Sequence, residues 1–280
     1  MSIHLWGGTF DAESIAIAQF LAAHGGHIDI QLNYDSNYLL SPNGKLPLLK
    51  DGSLLLQGYK EIVDHLSTKF HLFEYSTETN LLDQGLIEHL LKSMDIVTSY
   101  NYFLNKVNYD NYTRGVFKQL LPFPFQYKPP LNLKSAALAT CETAGISSSE
   151  DSDQLLQLKE RQKSLLETPV LSNFDKSKRD ASLKQVLYEM DILTNMRCIT
   201  MLEDTIKLVT DLQLPQDSSS MILFQAYILS NTSPNLKADF VAQYLQRNHP
   251  NLVPSQPFTD QIPDIVSFTQ ACRSLAQNYL

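Results

Sequence analysis

The run Gly44-Lys45-Leu46-Pro47-Leu48-Leu49-Lys50, then Asp51-Gly52, then Ser53-Leu54-Leu55-Leu56-Gln57 constrains this chain more than any other stretch. Asp-Gly between two apolar runs is the strongest short-range signal for a β-hairpin. Pro47 opens the first run. Its ring removes a ladder donor, so a proline there is an edge residue or sits in a cis bond retained for a structural reason. Upstream, Ile3-His4-Leu5-Trp6 is a short apolar strand and Gly7-Gly8-Thr9 turns the chain. Asp11 to Ala23 is patterned as an amphipathic helix, and His27 to Leu32 alternates as a second strand would. Gly58 to Lys69 adds a helix behind the hairpin.

Strand, helix, strand, hairpin and helix is the order of a thioredoxin-like α/β unit, here spanning residues 1–70. Trp6, Pro47, Asp51 and Gly52 are its fold-defining positions. Leu-Pro-Leu-Leu ahead of an Asp-Gly hairpin resembles the corresponding strand of glutathione-transferase N-terminal domains. The helical remainder resembles their second domain, so the expected class is α+β, glutathione-transferase-like. Residues 80–280 form its all-helical part, with a polar insertion at about 145–179.

That remainder follows a polar linker at His71 to Thr79. Leu82, Leu86, Leu90, Met94 and Val97 recur at spacings of three and four on a wide apolar stripe, which predicts a buried helix. Tyr100, Tyr102, Tyr109 and Tyr112 belong to a second helical stretch that ends near Leu120. The four prolines between Leu121 and Leu131 exclude a helix there on this reading. Gly145 to Asp153 reads as a loop, followed by a short leucine-rich helix and a polar connector from Thr168 to Arg179. Asp180 to Leu212 is the longest amphipathic segment, with Leu183, Leu187, Met190, Leu193 and Arg197 at helix spacing. Ser218, Ser219 and Ser220 cap the next helix. Leu236 to Arg247 and Ile265 to Tyr279 complete the set.

With 280 residues, 43% hydrophobic and 19% charged, the chain has the composition of a globular protein large enough for two domains. A net charge of -8 argues against a nucleic-acid footprint. Cys141, Cys198 and Cys272 are odd in number and far apart, which suits a reducing compartment and leaves the Asn231-Thr232-Ser233 sequon idle. The residues after Met1 show no basic leader or signal core, and no run approaches the about 20 apolar residues of a bilayer span. Membrane association is expected to be peripheral.

Enzymes of the glutathione-transferase class need a Tyr, Ser or Cys just after the first strand to hold a thiolate. In Trp6-Gly7-Gly8-Thr9-Phe10-Asp11 only Thr9 offers a hydroxyl. Asp11 and Glu13 in the first helical turn are expected to repel an anion that the helix end would otherwise attract. Where the class carries a Glu/Gln-Ser pair after the hairpin, this chain has Gln57-Gly58-Tyr59, and Tyr59 is bulky enough to close the groove. His24 and His27 flank Gly25-Gly26 without a Cys or carboxylate at ligand spacing, so a turn is favoured over a metal site. No catalytic, cofactor or metal residue is assigned.

Two surfaces are candidates for contact. Phe123, Pro124, Phe125 and Tyr127 either cover the helical core or face a protein or the bilayer interface. Lys176, Lys178 and Arg179 sit in a basic cluster that is either a solvated face or a dock for an acidic partner.

His4-Leu5-Trp6-Gly7, Asn43-Gly44-Lys45-Leu46-Pro47-Leu48-Leu49 and Gly58-Tyr59-Lys60-Glu61-Ile62-Val63 resemble the metaxin family. Within it they are most similar to the larger metaxin-like subunits of the fungal mitochondrial sorting and assembly machinery. Tyr112 to Cys141 is similar to the middle of the same proteins. The resemblance implies a non-enzymatic, cofactor-free subunit on the cytosolic face of the mitochondrial outer membrane. Its implied partners are a second metaxin-like subunit, the β-barrel insertase, the import translocase receptor and, indirectly, β-barrel precursors, with no nucleic acid. Two departures from the family are expected to matter. Where fungal relatives often continue into a hydrophobic C-terminal anchor the sequence stops at Leu280, so either an anchor was trimmed or docking is by protein contact alone. Serines stand where an Asp usually caps the penultimate core helix. An active glutathione transferase working through Thr9 and an assembly module of translation factors are the competing readings.

Overall fold

A computed structural model describes residues 1–24, 30–72, 76–146 and 173–262, without the side chains of 173–184 and 186. Strand β1 (Ser2–His4) lies inside the sheet, and the chain crosses back through helix α1 (Ala12–His24) to the parallel strand β2 (Gln31–Asn33). Strands β3 (Leu48–Asp51) and β4 (Leu54–Gln57) form the antiparallel hairpin, giving the order β2-β1-β3-β4. Ile3 lies opposite Leu32 on one side and Leu49 on the other. Ile3 and Leu49 are fully buried, as the inward face of a pleated strand requires.

The expected hairpin forms with its turn one residue along. Asp51 is the last ladder residue, paired with Leu54, so Gly52 and Ser53 are the two turn residues. Gly52 has φ of 62° and Ser53 stays at negative φ, the pattern of a turn with Gly at its first central position. Leu46-Pro47 is cis, and the Pro47 carbonyl accepts the Gly58 N–H at 3.0 Å. β2 starts at Gln31, at the end of the expected His27 to Leu32 run, whose residues 27–29 lie outside the described residues. Helix α2 (Tyr59–Phe70) then closes the sheet's end of the molecule.

Helix α3 (Thr77–Ser99) carries the predicted apolar stripe inward, although Leu82 at its start is 39% exposed. Two widened π-type turns, Tyr100–Leu104 and Tyr109–Thr113, follow it. All four tyrosines of this stretch point inward. Helix α4 (Arg114–Leu120) ends where the pattern predicted. The proline-rich stretch behaves differently. Pro129 and Pro130 lie in the first turn of helix α5 (Lys128–Thr143), where an N–H has no helical acceptor and its loss costs nothing.

Helix α6 (Asn173–Leu212) begins within the expected polar connector rather than at Asp180. At 40 residues it is about 60 Å long. Its inner face also differs from the predicted stripe: Leu193 is 61% exposed and Arg197 faces Gly145, while Cys198, Leu202, Ile206 and Val209 are the buried positions. Helix α7 (Ser219–Asn231) is buried over most of its surface, with Gln225 exposed and Leu229 partly so; it packs on both α1 and α3 and is the axis of the shared core. Helix α8 (Phe240–Asn248) leads into residues 249–262, which return to the sheet. The expected helix at Ile265 to Tyr279 and the leucine-rich helix before Thr168 lie outside the described residues. A small mixed sheet with helices followed by a helical region is compatible with a glutathione-transferase-like arrangement.

Candidate functional site

The loop between β1 and α1 carries Thr9, the one hydroxyl of the Trp6 to Asp11 segment. The Trp6 N–H donates to Ser14 Oγ and the Gly7 N–H to Ser36 Oγ, both at 3.0 Å. The Thr9 N–H donates to Asp260 Oδ1 at 2.9 Å. Its hydroxyl lies 2.7 Å from the Tyr112 hydroxyl and 3.3 Å from Ser233 Oγ, and its carbonyl accepts from Ser230 Oγ at 2.7 Å. Tyr112 donates in turn to Asp260, and Tyr102 donates to the Ser230 carbonyl at 2.6 Å. Burial pushes both phenols well above the ordinary tyrosine value, so they stay protonated. Thr9 is 0% exposed. Its hydroxyl is therefore a buried hub and not a group open to a substrate.

The segment around Asp260 is held there twice over. The Gln261 N–H donates to the Gly7 carbonyl at 2.6 Å. A Cβ added to Gly7 would stand 1.9 Å from the Gln261 carbonyl oxygen, so glycine is required for so close an approach.

A second internal carboxyl sits at the head of α2. Glu13 Oε2 accepts the Tyr59 N–H at 2.6 Å. Asp11 caps α1 by accepting the Ser14 N–H at 3.1 Å. Burial raises Asp11 to about 7 and, with the neighbouring Asp11 charge, Glu13 to about 8. The first helical turn therefore carries less negative charge near neutrality than its sequence implies. Tyr59 does not lie across a groove either. Its ring is fully buried and its hydroxyl donates to the Ser219 carbonyl at 2.7 Å, tying α2 to α7.

His24 Nε2 is 3.0 Å from the Asp217 carbonyl, and His27 lies outside the described residues. Among the described residues no group of three or more His, Cys, Asp or Glu side chains is placed to hold a metal ion. Burial pushes the Cys141 thiol up to about 12 and the Cys198 thiol higher still, which keeps both unreactive. Asn231 is buried and its amide donates to Thr98 Oγ1 at 2.7 Å, so the sequon is closed to modification in the fold.

Two sequence models of one family match most of this chain. The first, described as an outer mitochondrial membrane transport complex protein (Tom37), matches residues 14–134, and the Tom37 C-terminal domain matches residues 146–275. The chain belongs to the Tom37 family. A metaxin-1 homolog from Drosophila melanogaster is 29% identical over 112 residues, 39% of this chain and 34% of that protein. The match thus spans about a third of that relative's length. The family description places this Tom37-family chain at the outer mitochondrial membrane, in a transport complex. Among the described residues no helix is long and apolar enough to cross a membrane.

Of the fold-defining positions of the Tom37-family chain, Trp6 and Pro47 are buried, Asp51 is partly buried and Gly52 is exposed at the hairpin turn. Trp6 is buried, stacked on Tyr38 at 6.1 Å and edge-on to Phe117 at 5.6 Å, while Asp51 pairs with His65 and Lys69 on α2. The Phe123 to Tyr127 stretch divides. Phe125 packs against the core, whereas Pro124 is exposed and Phe123 and Tyr127 are 76% and 53% exposed. Lys176, Lys178 and Arg179 lie on the first turns of α6, with side chains outside the described residues.

Sequence reasoning missed Asp260, Glu13 as a cap for α2, and Asp83. Asp83 Oδ1 accepts the Ser220 N–H at 2.9 Å and the Ser220 hydroxyl as well, so a carboxylate does cap α7, delivered from α3. Ser218 Oγ adds the local cap, accepting the Met221 N–H at 3.4 Å. A lone Asp inside an apolar stripe was the available signal for Asp83.

Proposed function

We propose that this protein is a non-enzymatic subunit of the mitochondrial outer-membrane sorting and assembly machinery. It has a glutathione-transferase-like fold whose thioredoxin-like unit spans residues 1–70 and whose helical unit spans residues 80–280, with a polar insertion at about 145–179. It sits peripherally on the cytosolic face, beside a second metaxin-like subunit and the β-barrel insertase. There it supports insertion, folding and release of β-barrel precursors and links the complex to the import translocase receptor. It uses no cofactor and binds no nucleic acid.

One observation carries this reading: the chain fills its own groove. Asp260 meets the Thr9 N–H, where a transferase would present its thiol-holding group, and Glu13 meets the Tyr59 N–H beside Gly58, which stands where the carboxylate-binding serine would be. Donors that would receive a small anionic peptide are already satisfied inside the protein. What is left for function is the outside of the molecule.

The test is isolation of the tagged protein from gently solubilised mitochondria. Stable co-isolation of a membrane β-barrel and a second transferase-like protein is expected, together with failure to bind glutathione resin. Migration as a lone species, or retention on the resin with turnover lost in Thr9→Ala, overturns the proposal.

A further inference from the structure

The stretch from Lys106 to Lys134 carries five cations, Lys106, Arg114, Lys118, Lys128 and Lys134, against one carboxylate, Asp110, within a chain of net charge -8. The fold gathers three of them around one cleft of about 350 Å³ between α4 and the start of α5. Arg114 and Lys118 lie four residues apart on an outward face of α4, and Lys134 enters from α5. The Lys134 ammonium rests 4.6 Å over the Tyr109 ring, which fixes its position without neutralising it. Asp110 engages Arg114 only at 3.8 Å, and the guanidinium is 61% exposed, so that pair is weak and Arg114 keeps donors for another anion. Lys128 and Lys45 line a separate cleft of about 410 Å³ that shares no residue with this one.

The rim of the cleft is apolar and projects outward. Tyr127 and Leu131 line it at 53% and 63% exposure. Phe123, the most exposed large hydrophobic side chain of those described, stands edge-to-face on Tyr127 at 6.0 Å. Cations beside protruding aromatic and aliphatic groups match a surface that is anionic at its boundary and apolar just beneath.

We propose that the cleft lined by Arg114, Lys118 and Lys134 takes the phosphate of anionic phospholipid headgroups, with Phe123, Tyr127 and Leu131 inserted at the bilayer interface. The protein thereby holds the membrane directly through this face. The inference rests on the outer-membrane location and deepens the proposed function by naming the surface that meets the lipid.

The experiment is co-sedimentation of the full chain with vesicles of phosphatidylcholine, with and without phosphatidylinositol, at low and physiological salt. Binding is expected to require phosphatidylinositol and to weaken as salt rises. Each cation removed is expected to weaken it by about fivefold, so Arg114→Gln, Lys118→Gln and Lys134→Gln together cost about a hundredfold. Phe123→Ser with Tyr127→Ser weakens binding too, while Lys207→Gln, on the exposed side of α6, leaves it unchanged; circular dichroism verifies that each variant is folded. Equal binding to phosphatidylcholine alone, an unaltered triple variant, full competition by inorganic phosphate, or capture of an acidic peptide without vesicle binding each overturns the site. Co-isolation of the barrel complex without vesicle binding removes this site and leaves the proposed function standing. Vesicle binding without co-isolation does the reverse.

Discussion

At the head of α2 the Tyr59 N–H has a carboxyl for its partner, and that carboxyl is partly desolvated. Water loss raises Glu13 to about 8 and Asp11 to about 7 against the pull of the N–H donors on both. A carboxyl with a higher pKa in the folded chain binds more protons when folded, so stability falls as pH rises between the two values. For Glu13 that window runs from 4.5 to about 8, and for Asp11 from 3.8 to about 7. Glu13→Gln keeps an oxygen for Tyr59 and removes the titration. Urea unfolding from about pH 5 to about pH 8 is expected to give a flatter stability profile for the variant. Its gain on wild type across that range is on the order of 2 kcal/mol, less than the full shift implies because Glu13 keeps some contact with water. Parallel profiles for the two proteins would show that Glu13 is charged in the folded state.

Among the elements, α7 has the most to lose, because it has no polar face to fall back on. Asp83→Ala leaves the buried Ser220 N–H without its acceptor and is expected to cost about 2–3 kcal/mol in denaturant unfolding, with Asp83→Asn costing less. Gly7→Ala tests the returning segment: a methyl 1.9 Å from the Gln261 carbonyl must displace it, so limited proteolysis near Asp260 is expected to accelerate in that variant. These elements also mark the limit of what the sequence conveys. The hairpin and the stripe of α3 are legible because turn chemistry and periodicity act between neighbours along the chain, whereas the sequence leaves Pro47 open between an edge position and a cis bond. The caps of Thr9 and Ser220 come from residues 251 and 137 positions away, and no local pattern reports such a distance. Pro129 and Pro130 misled for a related reason: a proline reads as a breaker until the helix is known to begin just before it.

For the molecule as a whole, the contacts between sheet and helices outweigh any boundary between them. Phe20 and Ile17 on α1 are fully buried, and α1 packs on α7, a helix some two hundred residues later in the chain. Tyr59 fastens α2 to Ser219, Thr9 fastens the first loop to Tyr112 and Asp260, and Trp6 packs edge-on to Phe117. Separating the two parts would expose these groups together and leave buried donors unpaired on both sides. Unfolding is therefore expected to be a single cooperative event across the described residues. The chain offers a direct check, because Trp6 is its one tryptophan and sits in the sheet unit, whereas the far-ultraviolet circular dichroism comes mainly from the helices. Trp6 fluorescence and ellipticity should trace the same denaturant midpoint and slope. An earlier Trp6 transition would mean that the sheet unit releases its helices first, and that the filled groove opens while the rest stays folded.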